Sequence, residues 1–144
     1  MTRDEAFARL ARSKFRSRFK LTAEDRAYVG RVGIETIRRH AEDFVREKLA
    51  PAEPRNDGRQ TPMRGHPVFK AMHGSAMCCR GCMEKWWKVR RGVRLTEVQQ
   101  LKAVEFLMAW IAKKQDEEAS CGTEGVRPPS SAWRDRLEES RNGY

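Results

Sequence analysis

The sequence predicts an all-α fold: a small helical domain with a His/Cys metal-binding insert and a flexible C-terminal tail. Two observations support this prediction. Apolar residues recur every three or four positions in several segments, and no strand has comparable support. The chain has 144 residues, enough to bury one core without disulfides. We therefore expect one domain over residues 1–115 and a tail over residues 116–144.

The two longest predicted helices have the clearest helical patterns. The first runs from Ile34 to Leu49 and ends before Pro51, which cannot continue a helix. A capping box at Thr96 and Gln99 opens the second, which extends to about Gln115. The expected inward faces are Ile34, Ile37, Ala41, Phe44, Val45 and Lys48 in the first helix, and Leu101, Val104, Met108 and Ile111 in the second.

Shorter helices complete the predicted domain. They cover Asp4–Arg12, Thr22 to Val32, a segment that begins at Pro67, and Cys82–Trp87 after a break at Gly81. On the first long helix, His40 and Asp43 lie three apart and share a face, and we interpret them as solvated side chains rather than as a catalytic base with its carboxylate.

The segment from Arg12 to Leu21 allows two interpretations. Every second residue from 12 to 20 is cationic, which would give an extended strand one basic face. However, Phe15 and Phe19 stand four apart, as on a helix. We favour a helix-to-loop transition in which both phenylalanines are anchored in the core.

The charge of the chain is uneven. The net charge is +10, yet residues 116–144 hold seven acidic and four basic side chains, so residues 1–115 carry a net +13. A positive body of this size attracts polyanions, nucleic acid among them. Charge alone does not separate a nucleic-acid protein from one that is merely basic.

The sequence also indicates a compartment. No apolar run approaches the ~20 residues that span a bilayer, and the N-terminus lacks the apolar region of a secretory signal. We therefore expect a cytoplasmic protein with no membrane partner. Thiols stay reduced in that compartment, which favours metal binding over disulfides.

The strongest chemical signal is a cluster of ligand-type residues within 17 positions. Imidazole nitrogen and thiolate sulfur are the ligands that zinc and iron–sulfur clusters prefer. The alternative is a set of buried thiols and ordinary histidines, but five in one window favour a metal. The predicted metal ligands are His66, His73, Cys78, Cys79 and Cys82.

Several ligand sets remain open within this cluster. A structural zinc needs four ligands, and we prefer His73, Cys82 and one of the two adjacent cysteines, with His66 closing the site. A catalytic zinc would use three and leave a position for water. An iron–sulfur cluster is the alternative cofactor, although Cys79 and Cys82 form the only C-x-x-C pair. Cys121, in the predicted tail, is a poor fourth ligand.

Two basic segments with interleaved aromatic residues are candidates for binding nucleic acid, because cations contact phosphates and exposed rings stack on bases. The first contains Phe15 and Phe19, which we expect in the core, and the second contains Trp86 and Trp87, for which core and surface positions both remain open. The predicted contact residues are Lys14, Arg16, Arg18, Lys20, Lys85, Lys88, Arg90, Arg91 and Arg94.

Four stretches resemble a family of short bacterial and phage proteins known as domain-of-unknown-function family 4186. They are Lys14–Leu21, Thr36–Phe44, Asn56–Phe69 and Cys78–Trp86. The resemblance covers roughly residues 7–112 and implies a small intracellular domain with the His/Cys cluster as its defining site. It implies no activity. Family members are expected to carry a histidine where Trp87 stands here.

These features favour a zinc-binding helical module with a basic surface for DNA or RNA. One alternative is a metal-dependent enzyme acting on nucleic acid, of the nuclease or base-excision type. Another is a phage or host protein-interaction protein whose charge is incidental. The number of protein ligands separates the first two, because four indicate a structural ion and three leave room for water.

Overall fold

A computed structural model describes residues 2–120, with side chains through residue 117. Six α-helices form the described part, and it contains no strand, which confirms the all-α prediction. The helices are α1 Arg3–Ala11, α2 Ala23–Val32, α3 Ile34–Phe44, α4 Pro67–Gly74, α5 Arg80–Trp87 and α6 Glu97–Ser120. A short 3-10 helix covers Arg16–Arg18, and a π-helical turn, Val45–Leu49, follows α3.

Capping boxes start three of the helices. The Thr2 side chain accepts from the Glu5 backbone N–H while Glu5 accepts from that of Thr2, and α2 repeats the arrangement with Thr22 and Asp25. Thr96 and Gln99 exchange the same pair of bonds before α6. Each box satisfies N–H groups that the first helical turn would leave unpaired.

Two glycines allow the close connections. Gly33 has φ +89°, a conformation that glycine adopts at little cost, and it ends α2 and begins α3. At Gly74 the last turn of α4 approaches the Trp110 ring so closely that a Cβ would lie 2.6 Å from it. Helix α4 therefore packs directly on α6 just before the cysteine segment.

The core lies where α6 packs on α3 and α4. Its fully buried side chains include Ile37, Val45, Leu49, Val68, Met72, Leu107 and Ile111. Both predicted long helices thus contribute their apolar faces, except that Leu101 is 56% exposed. It precedes the buried part of α6 and lies where the helix faces solvent.

Other boundaries differ from the sequence-based expectation. Helix α5 begins at Arg80, two residues earlier than predicted, and includes Gly81, with Cys79 as its cap. Phe15 is 44% exposed rather than anchored in the core, whereas Phe19 is partly buried. Helix α6 continues to Ser120, past the predicted boundary at residue 115. The rest of the predicted tail, with Cys121 and Trp133, lies outside the described residues. Within residues 2–120, no helix has the length and apolar character to cross a membrane.

Candidate metal centre

The chain between α4 and α5 brings three cysteine sulfurs together. Ala76 takes a left-handed conformation that turns the chain after α4, and Cys79 is extended, as the residue before a helix is. The Sγ atoms of Cys78, Cys79 and Cys82 all lie within 4.8 Å of one another. Sulfurs around one tetrahedral zinc stand about 3.8 Å apart, given Zn–S bonds of about 2.3 Å. The three sulfurs are therefore close enough together to share one ion.

A buried arginine reaches the cysteine group from the 3-10 helix. Arg16 is only 8% exposed. Its Nη2 donates to Cys82 Sγ at 3.0 Å and its Nη1 to Cys78 Sγ at 3.5 Å. Nη1 also donates to the His73 carbonyl oxygen at 2.8 Å. A buried cation without a carboxylate partner is costly, so these bonds favour negative charge on the sulfurs.

The arrangement makes the three thiols unequal. A hydrogen bond from the Cys82 thiol, together with Arg16, lowers the pKa of Cys78 to about 7, although burial opposes the change. The same bond to Cys78, reinforced by burial, raises the pKa of Cys82. Burial raises the pKa of Cys79. Cys78 therefore loses its proton most readily of the three, and thiolate is the form that binds metals.

Cys79 also serves as the cap of α5. Its Sγ accepts from the Cys82 backbone N–H at 3.3 Å. The sulfur therefore lies at the N-terminus of α5, where the helix dipole favours negative charge.

Arg80 fixes the segment from the other side. It is 1% exposed and donates to four backbone carbonyl oxygens, at distances of 2.7–3.1 Å. The acceptors are Leu49, Pro51, Arg90 and Val93. One side chain thus ties the start of α5 to the end of the π-helical turn and to the loop before α6.

The loop over residues 56–62 closes over the same segment. Asp57 Oδ1 accepts from the Arg80 backbone N–H at 3.1 Å, and its Oδ2 accepts from Arg91 at 3.0 Å. Although burial opposes it, the hydrogen bonds from Gln60 and Arg80 and the charge of Arg91 lower the Asp57 pKa. Thr61 Oγ1 donates to the Cys78 carbonyl oxygen at 2.8 Å. This loop therefore positions the cysteines from outside the cluster.

The two predicted histidine ligands lie elsewhere around α4. His73 Nε2 is 3.0 Å from the Thr61 carbonyl oxygen and 3.1 Å from that of Pro62, and its ring stacks on Phe19. His66 caps α4 and lies 2.9 Å, Nε2 to Nδ1, from His40. Neither histidine has a ring nitrogen within 4.8 Å of all three sulfurs. The structure thus brings together three of the five predicted metal residues.

His40 is therefore not the simple solvated residue that its helix position suggested. It is partly buried and paired with His66. Asp43 instead accepts from Arg46 at 2.7 Å, on the surface of the same helix.

Most predicted nucleic-acid contacts are exposed, with one exception. Arg16 is buried on the sulfurs, and Arg91 is exposed but paired with Asp57. Trp86 and Trp87 are partly buried: Arg9 lies 4.8 Å from the Trp86 ring, and Trp87 Nε1 donates to the Ser75 carbonyl oxygen. The exposed cations are Lys14, Arg18, Lys20, Lys85, Lys88, Arg90, Arg91 and Arg94.

Sequence reasoning missed the residues that organise the centre. Arg16 lies in an alternating run of cations, and this pattern predicts an exposed basic face. Periodicity does not distinguish Arg80 from an exposed arginine. One signal was available: Arg16 lies between two phenylalanines, and Arg80 lies between two cysteines of the cluster. A cation flanked by residues that are expected to be buried is a candidate for burial itself.

The fold and the centre define a helical protein with a partly buried group of three cysteines that could hold a metal ion. A family model described as "Domain of unknown function (DUF4186)" matches residues 4–112. The chain belongs to this family. The matched region covers all six helices apart from Arg3 and the end of α6, and it includes Arg16 and the three cysteines. No solved structure gives a significant match.

Proposed function

We propose that this protein is a zinc-binding helical module in which Cys78, Cys79 and Cys82 hold the ion. One observation carries the proposal: the three sulfurs lie within 4.8 Å of one another. Cysteine also behaves as a small apolar residue, but buried thiols that serve only the core need not converge on one point.

The charges around the sulfurs support the same function. Three thiolates and one Zn²⁺ have a net charge of −1, and Arg16, which contacts two of the sulfurs, would balance it. Hydrogen bonds to ligand sulfurs also fix their orientation, as outer-shell partners do in metal sites. Arg16 would act in this way without binding the metal itself, and Thr61 would position Cys78 through its backbone carbonyl oxygen.

Three cysteines leave the fourth coordination position of the zinc open to His73, Cys121 or water. His73 is the predicted histidine closer in sequence to the cysteines, and its Nδ1 is buried without a hydrogen-bond partner among the described residues. Cys121 lies outside the described residues. Water in this position would favour the enzyme alternative, because catalytic zinc keeps an open site.

Metal analysis of anaerobically purified protein tests the proposal. We expect about one zinc per chain, and loss of that zinc in Cys78→Ser, Cys79→Ser and Cys82→Ser. Cys121→Ser is the matched control, since it removes the only other cysteine. His73→Gln and His66→Gln report whether either histidine completes the site.

Each other result has a defined meaning. Iron together with a visible chromophore would mean that the cysteines hold an iron–sulfur cluster and not a zinc ion. Zinc that survives all three cysteine substitutions, or protein without metal under conditions that protect thiols, would contradict the proposal. Loss of zinc in Cys121→Ser as well would add that residue as the fourth ligand.

We further propose that the basic surface around the centre binds nucleic acid. Several cations of the two segments are neighbours of residues of the centre in sequence or in space. Lys14 and Arg18 flank Arg16, Lys85 lies three residues beyond Cys82 on α5, and Arg91 Nη1 is 3.7 Å from where a Gly81 Cβ would be. Phe15, 44% exposed beside Lys14, offers a ring on which a base could stack.

A salt titration of binding to single-stranded DNA and RNA tests this second proposal. Replacing Lys85, Lys88 and Arg90 by Gln should reduce the slope of log affinity against log salt by about 2, because each lost phosphate contact removes about 0.7. A triple Gln variant of Lys102, Arg46 and Lys113, exposed cations outside both segments, is the control. Affinity that does not change with salt, or equal slopes in both variants, would contradict it.

A further inference from the structure

A cleft lies at the N-terminal end of α4, away from the cysteines, between α2 and the loop over residues 62–66. Its volume is about 850 Å³, within the range of small-molecule sites. A smaller cavity shares Thr22, Arg64 and Lys70 with it and extends it towards the 3-10 helix. None of the three cysteines lines either cavity.

The lining of the cleft is strongly cationic. Arg18, Lys20, Arg31, Arg64 and Lys70 contribute five positive charges, whereas Glu24 and Asp25 contribute two negative ones. The net charge of +3 is concentrated in a concave site, which focuses the potential on a bound anion.

Most of these cations have no carboxylate partner among the described residues, although the Arg31 guanidinium lies 5.4 Å from the centre of the Tyr28 ring. Only Lys70 has a carboxylate partner among residues 2–117: its Nζ is 3.3 Å from Asp25 Oδ2, and both side chains are mostly buried. Asp25 also accepts from the Thr22 backbone N–H, so its charge is well satisfied. Arg18, Lys20, Arg31 and Arg64 have no ion pair in this part of the chain.

The rest of the cleft suits the remainder of a nucleotide. Tyr28 is partly buried and packs edge-on against His66, so it forms a fixed aromatic wall. The cleft is also much larger than a lone phosphate requires. Both α2 and α4 begin at the cleft, and the positive ends of their dipoles add to the field of the cations.

We infer that this cleft binds the phosphate of a nucleotide, held by Arg64, Arg18 and Lys70 with the base or sugar against Tyr28. Two sources share this chemistry: a free nucleotide and the phosphorylated end of a nucleic-acid strand. The inference depends on neither the zinc centre nor the contacts of Lys85, Lys88 and Arg90.

Calorimetric titration of the full-length protein with adenosine 5′-monophosphate and with adenosine tests the inference. We expect the nucleotide to bind at least about ten-fold tighter than the nucleoside, the effect of one or more charge-assisted hydrogen bonds. Arg64→Gln should weaken nucleotide binding by about ten-fold as well. Arg59→Gln, an exposed cation of the preceding loop that does not line the cleft, should change it by less than about two-fold.

A second titration separates the two sources. DNA oligonucleotides with a 5′-phosphate and with a 5′-hydroxyl are compared in the parent and in Arg64→Gln. A gain from the 5′-phosphate that Arg64→Gln removes assigns the cleft to strand ends, and nucleotide binding without such a gain assigns it to free nucleotides.

Equal binding of nucleotide and nucleoside together with no gain from the 5′-phosphate would overturn the inference, as would a gain that Arg64→Gln leaves unchanged. Zinc content and thermal unfolding are measured on each variant. A failure of this inference is therefore distinct from a failure of the metal proposal.

Discussion

The two ends of α4 bury their polar groups in opposite ways. At the start of the helix, His66 Nδ1 accepts from the Val68 backbone N–H, so a neutral His66 carries its proton on Nε2 and donates it to His40 Nδ1. This pair is neutral. Beyond the other end, Cys78 and Cys82 face the guanidinium of Arg16, and the group is charged.

The comparison shows why closeness in sequence did not produce one site. Helix α4 has eight residues and is therefore about 12 Å long. It separates His66 from the cysteine segment and places each in its own surroundings. Histidine at a helix start can satisfy a backbone N–H, whereas thiols beyond the helix end turn towards a cation. Two kinds of metal-ligand residue, histidine and cysteine, thus serve two different purposes at the two ends of α4.

The largest expected effect comes from breaking the cysteine end alone. Arg80→Met would leave four carbonyl oxygens without their donors, among them that of the fully buried Leu49, and we expect a loss of about 4 kcal/mol in the free energy of unfolding. Urea unfolding of the reduced, metal-free protein measures it. The control is Arg91→Met, because that side chain is 56% exposed and its ion pair is worth about 1 kcal/mol or less. Equal losses in both variants would mean that Arg80 does not hold the segment.

The next effect isolates the histidine end through its pH dependence. Burial, with the nearby His40, lowers the pKa of His66 from 6.5 to about 4, although Asp25 opposes this. Between these pH values the unfolded chain binds a proton that the native His66 does not, so stability falls as the pH drops from 6.5 to 4. The full shift corresponds to about 3 kcal/mol, and partial exposure reduces this to about 2 kcal/mol.

His66→Asn is the matched variant for this measurement. Asparagine can accept from the first-turn N–H groups as a helix cap, yet it does not titrate. Chemical unfolding at pH 6.5 and at pH 4.5 should show a smaller loss in the variant than in the parent. Since carboxylates titrate equally in both proteins, the difference between them belongs to the histidine pair. An identical loss would contradict the neutral pair.

Helical periodicity was sufficient to predict the fold. The stripe on α3 and the capping boxes of α2 and α6 are local patterns, and tertiary packing preserved them. The predictions of burial were wrong at positions where tertiary packing, and not the local pattern, determines exposure. Phe15 and Leu101 carry apolar side chains at helical spacing, yet both face solvent because no neighbouring element covers them.

The candidate site was predicted only in part for the same reason. Three cysteines within five positions are a local pattern, so the sequence identified them as ligand candidates, whereas their convergence depends on the turn at Ala76 and the start of α5. The partners of these cysteines come from distant segments. Arg16 is 62 residues from Cys78, and Asp57 is 23 residues from Arg80. No local pattern encodes such pairs.

The smallest expected effect measures the charge at the cysteine end directly. In the reduced, metal-free protein, the Cys78 thiolate should form with a midpoint near pH 7. A pH titration monitored by the ultraviolet absorbance of the thiolate measures this midpoint. Arg16→Gln should move that midpoint upward by about one unit, or about 1.4 kcal/mol, because it removes both the hydrogen bond and the positive charge.

Arg16→Lys provides the comparison for this last measurement. Lysine keeps the charge but cannot span both sulfurs and the His73 carbonyl oxygen with a planar fork. Its midpoint should therefore lie between those of the parent and Arg16→Gln. If all three proteins share one midpoint, the Cys82 thiol alone lowers the pKa of Cys78, and Arg16 would be a packing residue. The positive charge of Arg16 would then not contribute to thiolate formation, and the contrast with the neutral histidine pair would lose its electrostatic basis.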